Sequence, residues 1–273
     1  MNNGVLLFAH NNHKIDYVKQ AVFCAKKIKK HLKLPVALAT DSKSYFDKRF
    51  KKYGYIDIVI ENTSNTNQKR TFHNGPQSES LPWNNLSRCE SLDITPFENT
   101  IVMDTDFFVG NSILLKCFED KTFKITKNIV DLNPNRRDIT LDRISNTSID
   151  MYWATVFYFN KNKFSKMFFE LVKHIKKNWS FYRLQYQLVG KNFRNDYAFT
   201  IALHLLEYPN TDLPCKIFFT TDKDKLLEID KEKYKLHISN MDKDIVSAIE
   251  NVNIHIMNKF DLSTQIDRIL QNE

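Results

Sequence analysis

A short apolar run, residues 100–109, constrains the fold of this chain most strongly, because two carboxylates, Asp104 and Asp106, interrupt it. The run is rich in β-branched residues, which is typical of a buried strand. Acids at the carboxyl end of such a strand lie where open α/β sheets bind ligands, and one intervening residue lets both face a shared cation. The pattern predicts a metal and phosphate site. Alternatively, one Asp caps a helix expected near Asn111 and the other is only solvated.

Hydrophobic spacing before this strand alternates between two periods. Residues 4–9, 35–40 and 55–60 form short continuous apolar runs, which predict buried strands. In residues 15–32 the apolar side chains recur at helical spacing with lysines opposite, and a shorter helix is expected over 42–53. Strands that alternate with helices imply right-handed crossovers and a mostly parallel sheet. The sequence therefore predicts an α/β fold.

The pattern is less regular on either side of the acid-bearing strand. Residues 61–85 are polar and predict a long loop, which a helix over 86–94 would join to that strand. Residues 128–150 are polar as well. Beyond them we expect an aromatic-rich strand over 152–159, helices around 164–177, 181–190 and 196–207, strands at 216–220 and 252–257, and a closing helix near 262–270.

The composition is that of an ordinary globular protein. With 273 residues, of which 42% are hydrophobic, the chain can bury a large core in one domain. Forty basic and 32 acidic residues give a formal net charge of +8, which favours anionic partners such as nucleotide phosphates, nucleic acid or an acidic membrane surface. The alternative is that the lysines simply occupy solvated helix faces.

Cysteine usage and the N-terminal residues bear on the compartment. The four cysteines lie far apart without a Cys-x-x-Cys pair, so neither a zinc ribbon nor a disulfide scaffold is indicated. No apolar stretch reaches the ~18 residues that a bilayer span requires, and no signal pattern opens the chain. We therefore expect a cytoplasmic protein with no transmembrane segment.

Glycine is scarce, with five residues in the chain. Neither a Gly-x-Gly-x-x-Gly fingerprint nor a P-loop is present to hold phosphates by backbone amides. A metal ion would have to bind the phosphates instead. A cation held by Asp104 and Asp106 could bridge the phosphates of a nucleoside diphosphate and act as a Lewis acid for a leaving diphosphate.

An α/β N-terminal half, a mid-chain strand ending in Asp-x-Asp, and a late His followed closely by Lys together resemble glycosyltransferases of the GT-A fold, particularly those of glycosyltransferase family 8. The resemblance covers most of the chain. It implies a Rossmann-like mixed, mostly parallel sheet flanked by helices. It further implies a single domain over residues 1–273, with a nucleotide-sugar-binding half over 1–127 and an acceptor-side half over 128–273 that includes the C-terminal helix.

The resemblance also implies roles for individual residues. In that family the Asp-x-Asp binds Mn²⁺ or Mg²⁺ together with the diphosphate of a nucleotide sugar, which maps onto Asp104 and Asp106. The late His and Lys correspond to His255, as a third metal ligand, and Lys259, as a phosphate contact. Asp196 corresponds to an acid that faces the transferred sugar. The remaining donor-contacting residues implied by the resemblance are Ala9, Asn11, Asn12, Tyr17, Asp41, Arg88 and Thr105.

The chain departs from the family pattern in two places. The glycine after the late His and the Pro-Trp after the Lys are absent from residues 255–260. The strand expected over 152–159 carries Ala154 and Thr155 where the family often has Gly. These departures concern the late loop and the acceptor strand more than the central acids.

Most of these residues also have a purely structural interpretation. His255 lies among alternating apolar residues, where a lone His is often a hydrogen-bonded structural residue, and His237 has a similar setting. Arg88 is equally consistent with a helix-surface salt bridge. Tyr17 has the spacing of a core position, and Asp196 is placed to cap a helix.

Together, the residues and the resemblance predict a metal-dependent glycosyltransferase that moves a hexose or pentose from a nucleotide-diphosphate sugar to an acceptor hydroxyl. A glycan, a protein, a small molecule and a nucleic acid all stay open as acceptors. A nucleic-acid acceptor is suggested by the net charge and by basic residues in polar stretches, namely Lys69, Arg70, Arg136, Arg137 and Arg143.

Two other classes of protein stay open. A phosphatase of the haloacid-dehalogenase type also uses a strand that ends in Asp-x-Asp, with the first Asp as nucleophile, but normally on its first strand. A non-enzymatic nucleic-acid-binding protein would suit the net charge, although no recognised binding motif is visible. Nucleotide-sugar binding that depends on a divalent ion distinguishes a glycosyltransferase from both.

Overall fold

Strands and helices alternate through the first hundred residues, as the hydrophobic spacing predicts. The computed structural model describes residues 2–63, 68–74, 77–84, 87–127, 129–133, 136, 142–145, 148–208, 212–238 and 245–271. Arg137, one of the basic residues named above, lies outside this part of the chain.

The described strands and helices, in chain order, have the following bounds. The strands are β1 (Asn3–Ala9), β2 (Val36–Thr40), β3 (Ile58–Glu61), β4 (Lys69–Asn74), β5 (Gln77–Pro82), β6 (Asn99–Met103), β7 (Phe107–Phe108), β8 (Lys124–Thr126), β9 (Ile129–Asp131), β10 (Trp153–Asn160), β11 (Ile217–Thr220), β12 (Lys225–Asp230), β13 (Lys233–Ile238), β14 (Ile245–Glu250) and β15 (Ile254–Ile256). The α-helices are α1 (Tyr17–His31), α2 (Lys43–Arg49), α3 (Ser91–Ile94), α4 (Lys163–Lys177), α5 (Trp179–Gln185), α6 (Asn195–Leu205) and α7 (Lys259–Gln271). Short 3₁₀ segments lie at Lys51–Tyr53, Ser87–Glu90 and Ile113–Phe118.

The central sheet has six described strands in the order β3-β2-β1-β6-β10-β8. Strands β3, β2, β1 and β6 are mutually parallel, whereas β10 runs antiparallel to both β6 and β8. The predicted fold class, a mixed and mostly parallel sheet flanked by helices, is confirmed. The parallel order also places the carboxyl ends of β1 and β6 at one edge, where ligands bind in open α/β sheets.

Both faces of the central sheet are buried. Along β1, Val5 and Leu7 pack into one hydrophobic cluster with residues of α1 and α7, while Leu6 and Phe8 pack into a second with residues of α4 and α6. A strand covered on both faces is expected to be apolar at successive positions, which is why the period-2 alternation is missing from β1. Both clusters draw on residues from either side of residue 128, and the division into two functional halves there stays a prediction.

A second sheet, in the order β7-β15-β11-β9, lies next to the end of β6. The predicted strand ends at the two acids, as expected, and the run 100–109 contributes to both sheets. Residues 99–103 belong to the central sheet, and Phe107 and Phe108 pair antiparallel with β15. The intervening Asp-Thr-Asp forms the turn between them, because its polar side chains cannot continue a strand through the core. The predicted helix near Asn111 is the 3₁₀ segment that begins at Ile113.

The predicted loop over 61–85 is wrong in its described part. Strands β4 and β5 pair antiparallel as a hairpin. Phe72 and Leu81 are its buried apolar residues, and Arg70 lies opposite Leu81 on the same face. The remaining positions are polar, so the sequence lacks the repeated apolar alternation that would reveal two strands.

The other differences concern short elements. Strands β8 and β9 and the antiparallel meander β12-β13-β14 were not predicted, and β3 begins at Ile58, three residues later than expected. The predicted helix over 181–190 ends at Gln185, and that over 86–94 is a 3₁₀ segment followed by α3. All four cysteines are free. Among the described residues, no helix is both long and apolar enough to cross a membrane.

Candidate metal centre

The turn between β6 and β7 presents both acids of the Asp-x-Asp motif. Its backbone is fixed on two sides, because the Asp104 N–H donates to Thr155 O at 2.9 Å and the Phe107 N–H donates to Asp104 O at 3.1 Å. The Cys24 thiol, from α1, donates to Phe107 O at 3.1 Å. A turn held by neighbours on both faces places its side chains in defined positions, as a binding site requires.

Strand β15 brings His255 to these acids. His255 pairs with Phe107 across the second sheet, and the Ile256 N–H donates to Asp106 O at 3.0 Å. The Nε2 atom of His255 lies 3.2 Å from Asp106 Oδ2 and 3.9 Å from Asp104 Oδ2. Sheet pairing therefore brings together residues that lie about 150 positions apart in the sequence.

Ligand atoms from Asp104, Asp106 and His255 all lie within 4.8 Å of one another. Atoms that bind one ion at about 2.1 Å are separated by at most about 4.2 Å, so a small closing movement suffices for coordination. Two carboxylates and an imidazole form a mixed oxygen and nitrogen donor set that suits a divalent transition metal. We refer to these three residues as the metal cluster.

Two cationic side chains contact the metal cluster directly. Arg88, from the 3₁₀ segment before α3, forms an ion pair with Asp104, and Lys259, the first residue of α7, forms one with Asp106. Burial alone raises the pKa of the Asp106 carboxyl, but Lys259 and His255 outweigh it and hold that pKa well below its usual range. The Asp106 carboxylate is therefore ionised and ready to bind a cation.

Asp196, at the start of α6, lies in the same cavity with both carboxylate oxygens engaged. Oδ1 accepts from the Ala154 N–H at 2.9 Å and Oδ2 accepts from Arg194 Nη2 at 3.0 Å. Burial raises the pKa of Asp196, but Arg194 and Arg88 lower it more, so its net shift is downward. Asp196 therefore stays ionised and cannot serve as a proton donor near neutral pH.

The surrounding cavity carries more positive than negative side chains. Its charged lining consists of four basic residues and three acids, namely Arg70, Arg88, Arg194, Lys259, Asp104, Asp106 and Asp196. A divalent ion on the metal cluster would increase this positive excess by two charges. A water-poor cavity of this sign strongly favours an anionic ligand.

The structure brings eight of the sequence-predicted residues into this cavity. They are Tyr17, Arg88, Asp104, Thr105, Asp106, Asp196, His255 and Lys259. Tyr17 is buried, with the Lys259 Nζ atom 5.6 Å from its ring centroid. It thus has the core position that the helical spacing suggests and also faces the cavity.

Four other predicted residues do not line the cavity. Ala9 is buried at the end of β1. Asn11 and Asn12 shape the turn before α1, where their Oδ1 atoms accept from the backbone N–H groups of Val18 and Ile15 at 3.0 and 2.8 Å. Their donor contacts stay predictions, as does that of Asp41, which is exposed and accepts from the Ser42 hydroxyl at 2.9 Å.

His237, the competing histidine, lies on β13 opposite Val246. It is not part of the group of metal-ligating atoms found among the described residues.

Sequence reasoning did not assign several cavity residues to the site. They are Phe8, Arg70, Trp83, Trp153, Thr155, Arg194 and Met257. Trp153 and Thr155 are two apart on β10 and therefore share a face, a signal that the period of a strand could have supplied. Arg70 was named only as a basic residue in a polar stretch, because its hairpin was not predicted. Its guanidinium carbon lies 4.9 Å from the ring centroid of Trp83.

Comparison with known proteins gives partial structural likenesses. No protein-family model matches the sequence, and no curated protein sequence matches it. The glycosyltransferase GlyE of Streptococcus pneumoniae TIGR4 has a TM-score of 0.42 and 13% identity over 78% of this chain, which spans 45% of the GlyE chain. The galactosyltransferase LgtC, in complex with donor and acceptor sugar analogs, has a TM-score of 0.47 and 12% identity over 73% of this chain and 70% of its own.

A third likeness is to an enzyme of another class. The 4-diphosphocytidyl-2C-methyl-D-erythritol synthase of Anaerococcus prevotii has a TM-score of 0.40 and 11% identity over 80% of this chain and 88% of its own. Two of these three structures are glycosyltransferases, the class that the motifs of this chain resemble. Because all three TM-scores lie below 0.5, the assignment of function depends on the chemistry of the cavity.

Proposed function

We propose that this chain is a metal-dependent glycosyltransferase that moves a sugar from a nucleoside diphosphate sugar to an acceptor hydroxyl. The observation that carries the proposal is the metal cluster, Asp104, Asp106 and His255, set among basic side chains at the carboxyl end of β6. The combination supports binding of a divalent ion together with an anionic ligand of several charges, and a nucleotide diphosphate is such a ligand.

Asp104, Asp106 and His255 would hold the ion. When bound, Mn²⁺ or Mg²⁺ supplies Lewis-acid stabilisation of the negative charge on a departing diphosphate. Mg²⁺ prefers all-oxygen sites with several waters, so the imidazole favours Mn²⁺ over Mg²⁺ here. Both carboxylates are available as ligands because their present partners are side chains that can turn toward another anion.

Arg88 and Lys259 are those partners, and they give the cavity its phosphate-binding capacity. Each neutralises one acid of the metal cluster in this structure. A cation that takes over the two carboxylates leaves the guanidinium and the ammonium free to donate to phosphate oxygens. Their charge then stabilises the diphosphate as it departs from the sugar.

Asp196 is the candidate catalytic residue on the sugar side of the cavity. Because its carboxylate stays ionised, it can accept a hydrogen bond from a sugar hydroxyl and stabilise positive charge that develops at the anomeric carbon. The fixed donors Ala154 N–H and Arg194 hold it in one orientation. Its lowered pKa makes it a weak base, so we assign it an electrostatic and positioning role rather than proton transfer.

The donor and acceptor halves of the proposal meet at this cavity. Residues before 128 supply Arg88 and the two acids of the motif, and residues after it supply Asp196, His255 and Lys259. Because His255 and Lys259 serve the donor in this proposal, the second half contributes to both substrates. The acceptor, whether glycan, protein or nucleic acid, would enter beside Asp196, in a protein that we expect in the cytoplasm.

A thermal-shift panel tests the proposal. Nucleotide sugars that differ in base and sugar would be compared with the corresponding nucleoside triphosphates, each with and without Mn²⁺. A donor at a hundredfold its dissociation constant adds about 2.7 kcal/mol of stability, which raises the melting temperature by about 5–10 °C for a chain of this size. We expect one nucleotide sugar to give this shift only with Mn²⁺, and the Asp106→Asn variant to lose it.

The matched control is Asp120→Asn, which changes an exposed acid outside the cavity and should keep the shift. Stabilisation by triphosphates but by no nucleotide sugar would overturn the proposal in favour of nucleotidyl transfer. The proposal would also fail if the shift were independent of Mn²⁺.

A further inference from the structure

The positive charge of this chain is concentrated in one segment. Residues 161–194 contain nine Lys and Arg residues and a single acid, Glu170, so this segment carries a formal charge of +8. The whole chain has the same net charge of +8, which means that the rest of the sequence is balanced overall. Asp93 and Asp196, which lie outside the segment, pair with Lys173 and Arg194. The basic residues that are left still outnumber the acids and favour an anionic partner.

Helix α4 exposes one side of this segment. Phe168, Phe169 and Val172 on its inner side pack into the core. Its outer side carries residues spaced by three or four positions, namely Lys163, Lys166, Met167, Glu170 and Lys177, all of them exposed. None of these three lysines forms an ion pair with a carboxylate in the part of the chain that the structure describes.

Helix α5 and the turn after it expose large apolar side chains. Phe181 is 63% exposed, Leu184 66% and Val189 97%. The turn is held against the helix, because the Leu188 N–H donates to Arg183 O at 2.8 Å and the Trp179 indole donates to Lys191 O at 2.9 Å. Side chains held outward this way cannot fold back into the core, and clustered exposure of this kind marks an interaction site.

The exposed lysines lie along α4, and aromatic contacts join the C-terminal half of α4 to α5. The ring of His174, on the outer side of α4, lies 6.0 Å from that of Tyr182, and Tyr182 lies 5.3 Å from Phe181. Trp179, the first residue of α5, stacks on Tyr197 of α6 with 6.5 Å between the ring centroids. The α4–α5 surface is defined here as Lys163, Lys166, Met167, Lys177, Phe181, Leu184, Val189 and Lys191.

We propose that the α4–α5 surface docks on an anionic lipid bilayer. Phe181, Leu184 and Val189 enter the boundary between headgroups and acyl chains, and the surrounding lysines contact anionic headgroups. Interfacial binding grows with inserted apolar area and with attraction between basic residues and acidic lipids, and this surface supplies both. The proposal does not depend on the proposed function, because none of these side chains lines the cavity.

Two other occupants fit the surface less well. A nucleic acid would use the lysines but would leave Leu184 and Val189 in water, since bases stack on aromatic rings rather than on aliphatic side chains. A second copy of the chain would bring two basic segments of the same sign together, and their repulsion opposes association. An anionic bilayer is the partner that satisfies both the charge and the aliphatic side chains.

Vesicle co-sedimentation of the full chain tests the proposal. One set of vesicles is phosphatidylcholine alone and the other is equal parts of phosphatidylcholine and phosphatidylserine. We expect partitioning at least about tenfold stronger onto the anionic vesicles, weakened by added salt. The apolar variant Phe181→Ser/Leu184→Ser/Val189→Ser and the basic variant Lys163→Gln/Lys166→Gln/Lys177→Gln should each lower it by at least about tenfold.

Matched control variants change the same kinds of side chain elsewhere. Leu115→Ser/Leu227→Ser/Val246→Ser removes exposed apolar residues, and Lys43→Gln/Lys48→Gln/Lys51→Gln removes exposed lysines. Both should bind vesicles as the unmodified chain does, and all variants should keep their nucleotide-sugar thermal shift.

Equal binding to the two vesicle types, or equal losses in the control variants, would overturn the proposal. If vesicle binding is absent, duplex DNA binding that only the basic variant weakens would also overturn the proposal. A dimer of the unmodified chain that the apolar substitutions dissociate, as measured by sedimentation velocity, would overturn it as well. A failure here leaves the nucleotide-sugar shift in place and is therefore distinguishable from a failure of the proposed function.

Discussion

Two charged clusters in this molecule are similar in residue type and differ in what they can bind. In one, Asp104 and Asp106 meet His255 with two basic residues beside them. In the other, Glu232 receives three basic groups, from Lys27 at 3.1 Å, Lys30 at 2.7 Å and His31 at 2.9 Å. The last four residues are named the Glu232 cluster.

The difference lies in how many carboxylates converge. The single carboxylate of the Glu232 cluster is shared among three donors, which occupy most of its lone pairs. The cluster joins α1 to the turn between β12 and β13, and it contains no second acid for an ion. In the metal cluster, two carboxylates and an imidazole face one point at the edge of a cavity. Convergence of acids, rather than the presence of buried charge, therefore distinguishes a candidate site from a structural one.

The largest effect is expected from removing one acid of the metal cluster. Asp104→Asn and Asp106→Asn should each lower donor turnover by at least about 10³-fold. The reason is that a bound metal ion lowers the free energy of the charged transition state by several kcal/mol. The folded state should persist, since neither side chain fills an apolar space. Turnover at a fixed Mn²⁺ concentration measures the loss of activity, and the circular dichroism of each variant shows whether the fold is retained. Near-normal turnover in either variant would remove the metal role.

A smaller effect is expected at Asp196. Asp196→Asn keeps the shape of the side chain and removes its charge, so we expect kcat to fall by about 10²-fold while Mn²⁺ affinity stays unchanged. Steady-state kinetics and a metal titration separate the two quantities. A parallel loss of metal affinity would place Asp196 among the metal-binding residues instead. An unchanged kcat would make it a structural residue that holds Ala154 and Arg194; the predicted helix cap is wrong, because the side chain bonds to these two residues and not to the backbone N–H groups of α6.

His255 should contribute less than the acids but more than other histidines. His255→Ala should weaken Mn²⁺ binding by at least about tenfold, whereas His237→Ala on β13 and His31→Ala in the Glu232 cluster should leave it unchanged. Equal and small effects from all three substitutions would make His255 a structural residue.

The smallest effect on activity is expected from the Glu232 cluster. Glu232→Gln should leave turnover unchanged and lower the free energy of unfolding by about 1–2 kcal/mol at pH 7, because Lys27 loses its ionic partner while largely buried. Burial raises the pKa of Glu232, but Lys30, Lys27 and His31 outweigh it, so the net shift is downward.

The sign of that shift sets the pH dependence. A carboxyl whose pKa is lower in the folded state stabilises the fold above its unfolded pKa, here about 4.5, and loses this contribution as the pH falls through the folded value. The difference in unfolding free energy between the unmodified chain and Glu232→Gln should therefore be full at pH 7 and shrink below pH 4.5. Denaturant unfolding at several pH values measures it, and a difference that grows on acidification would contradict this reading.

Much of the central sheet could be predicted from the sequence, because its information is local. Continuous apolar runs at β1, β2 and β6 and the helical spacing of α1 each specify one element. The hairpin β4–β5 could not be predicted, since its positions are mostly polar and, among its residues whose burial is described, Phe72 and Leu81 alone are buried. Burial of the hairpin depends on the elements that it packs against, and a local sequence pattern carries no information about those elements.

The candidate site divides in the same way. Asp104 and Asp106 are two residues apart on a strand end, so their convergence follows from chain geometry. The approach of His255 depends on the pairing of β15 with β7, and its register cannot be read from residues 252–257 alone. Asn11 and Asn12 meet a local need, because their side chains accept hydrogen bonds in the turn before α1, and their contacts to a donor stay predictions.

The central claim is that the metal cluster binds one divalent ion and the Glu232 cluster none, and Mn²⁺ titration followed by electron paramagnetic resonance tests it most directly. We expect the unmodified chain to bind one Mn²⁺, more tightly by at least about tenfold when a nucleoside diphosphate is present, since the two charges stabilise each other. Glu232→Gln should titrate identically, and Asp106→Asn should lose both the site and the effect of the nucleotide. Mn²⁺ binding by Asp106→Asn that equals that of the unmodified chain would contradict the account.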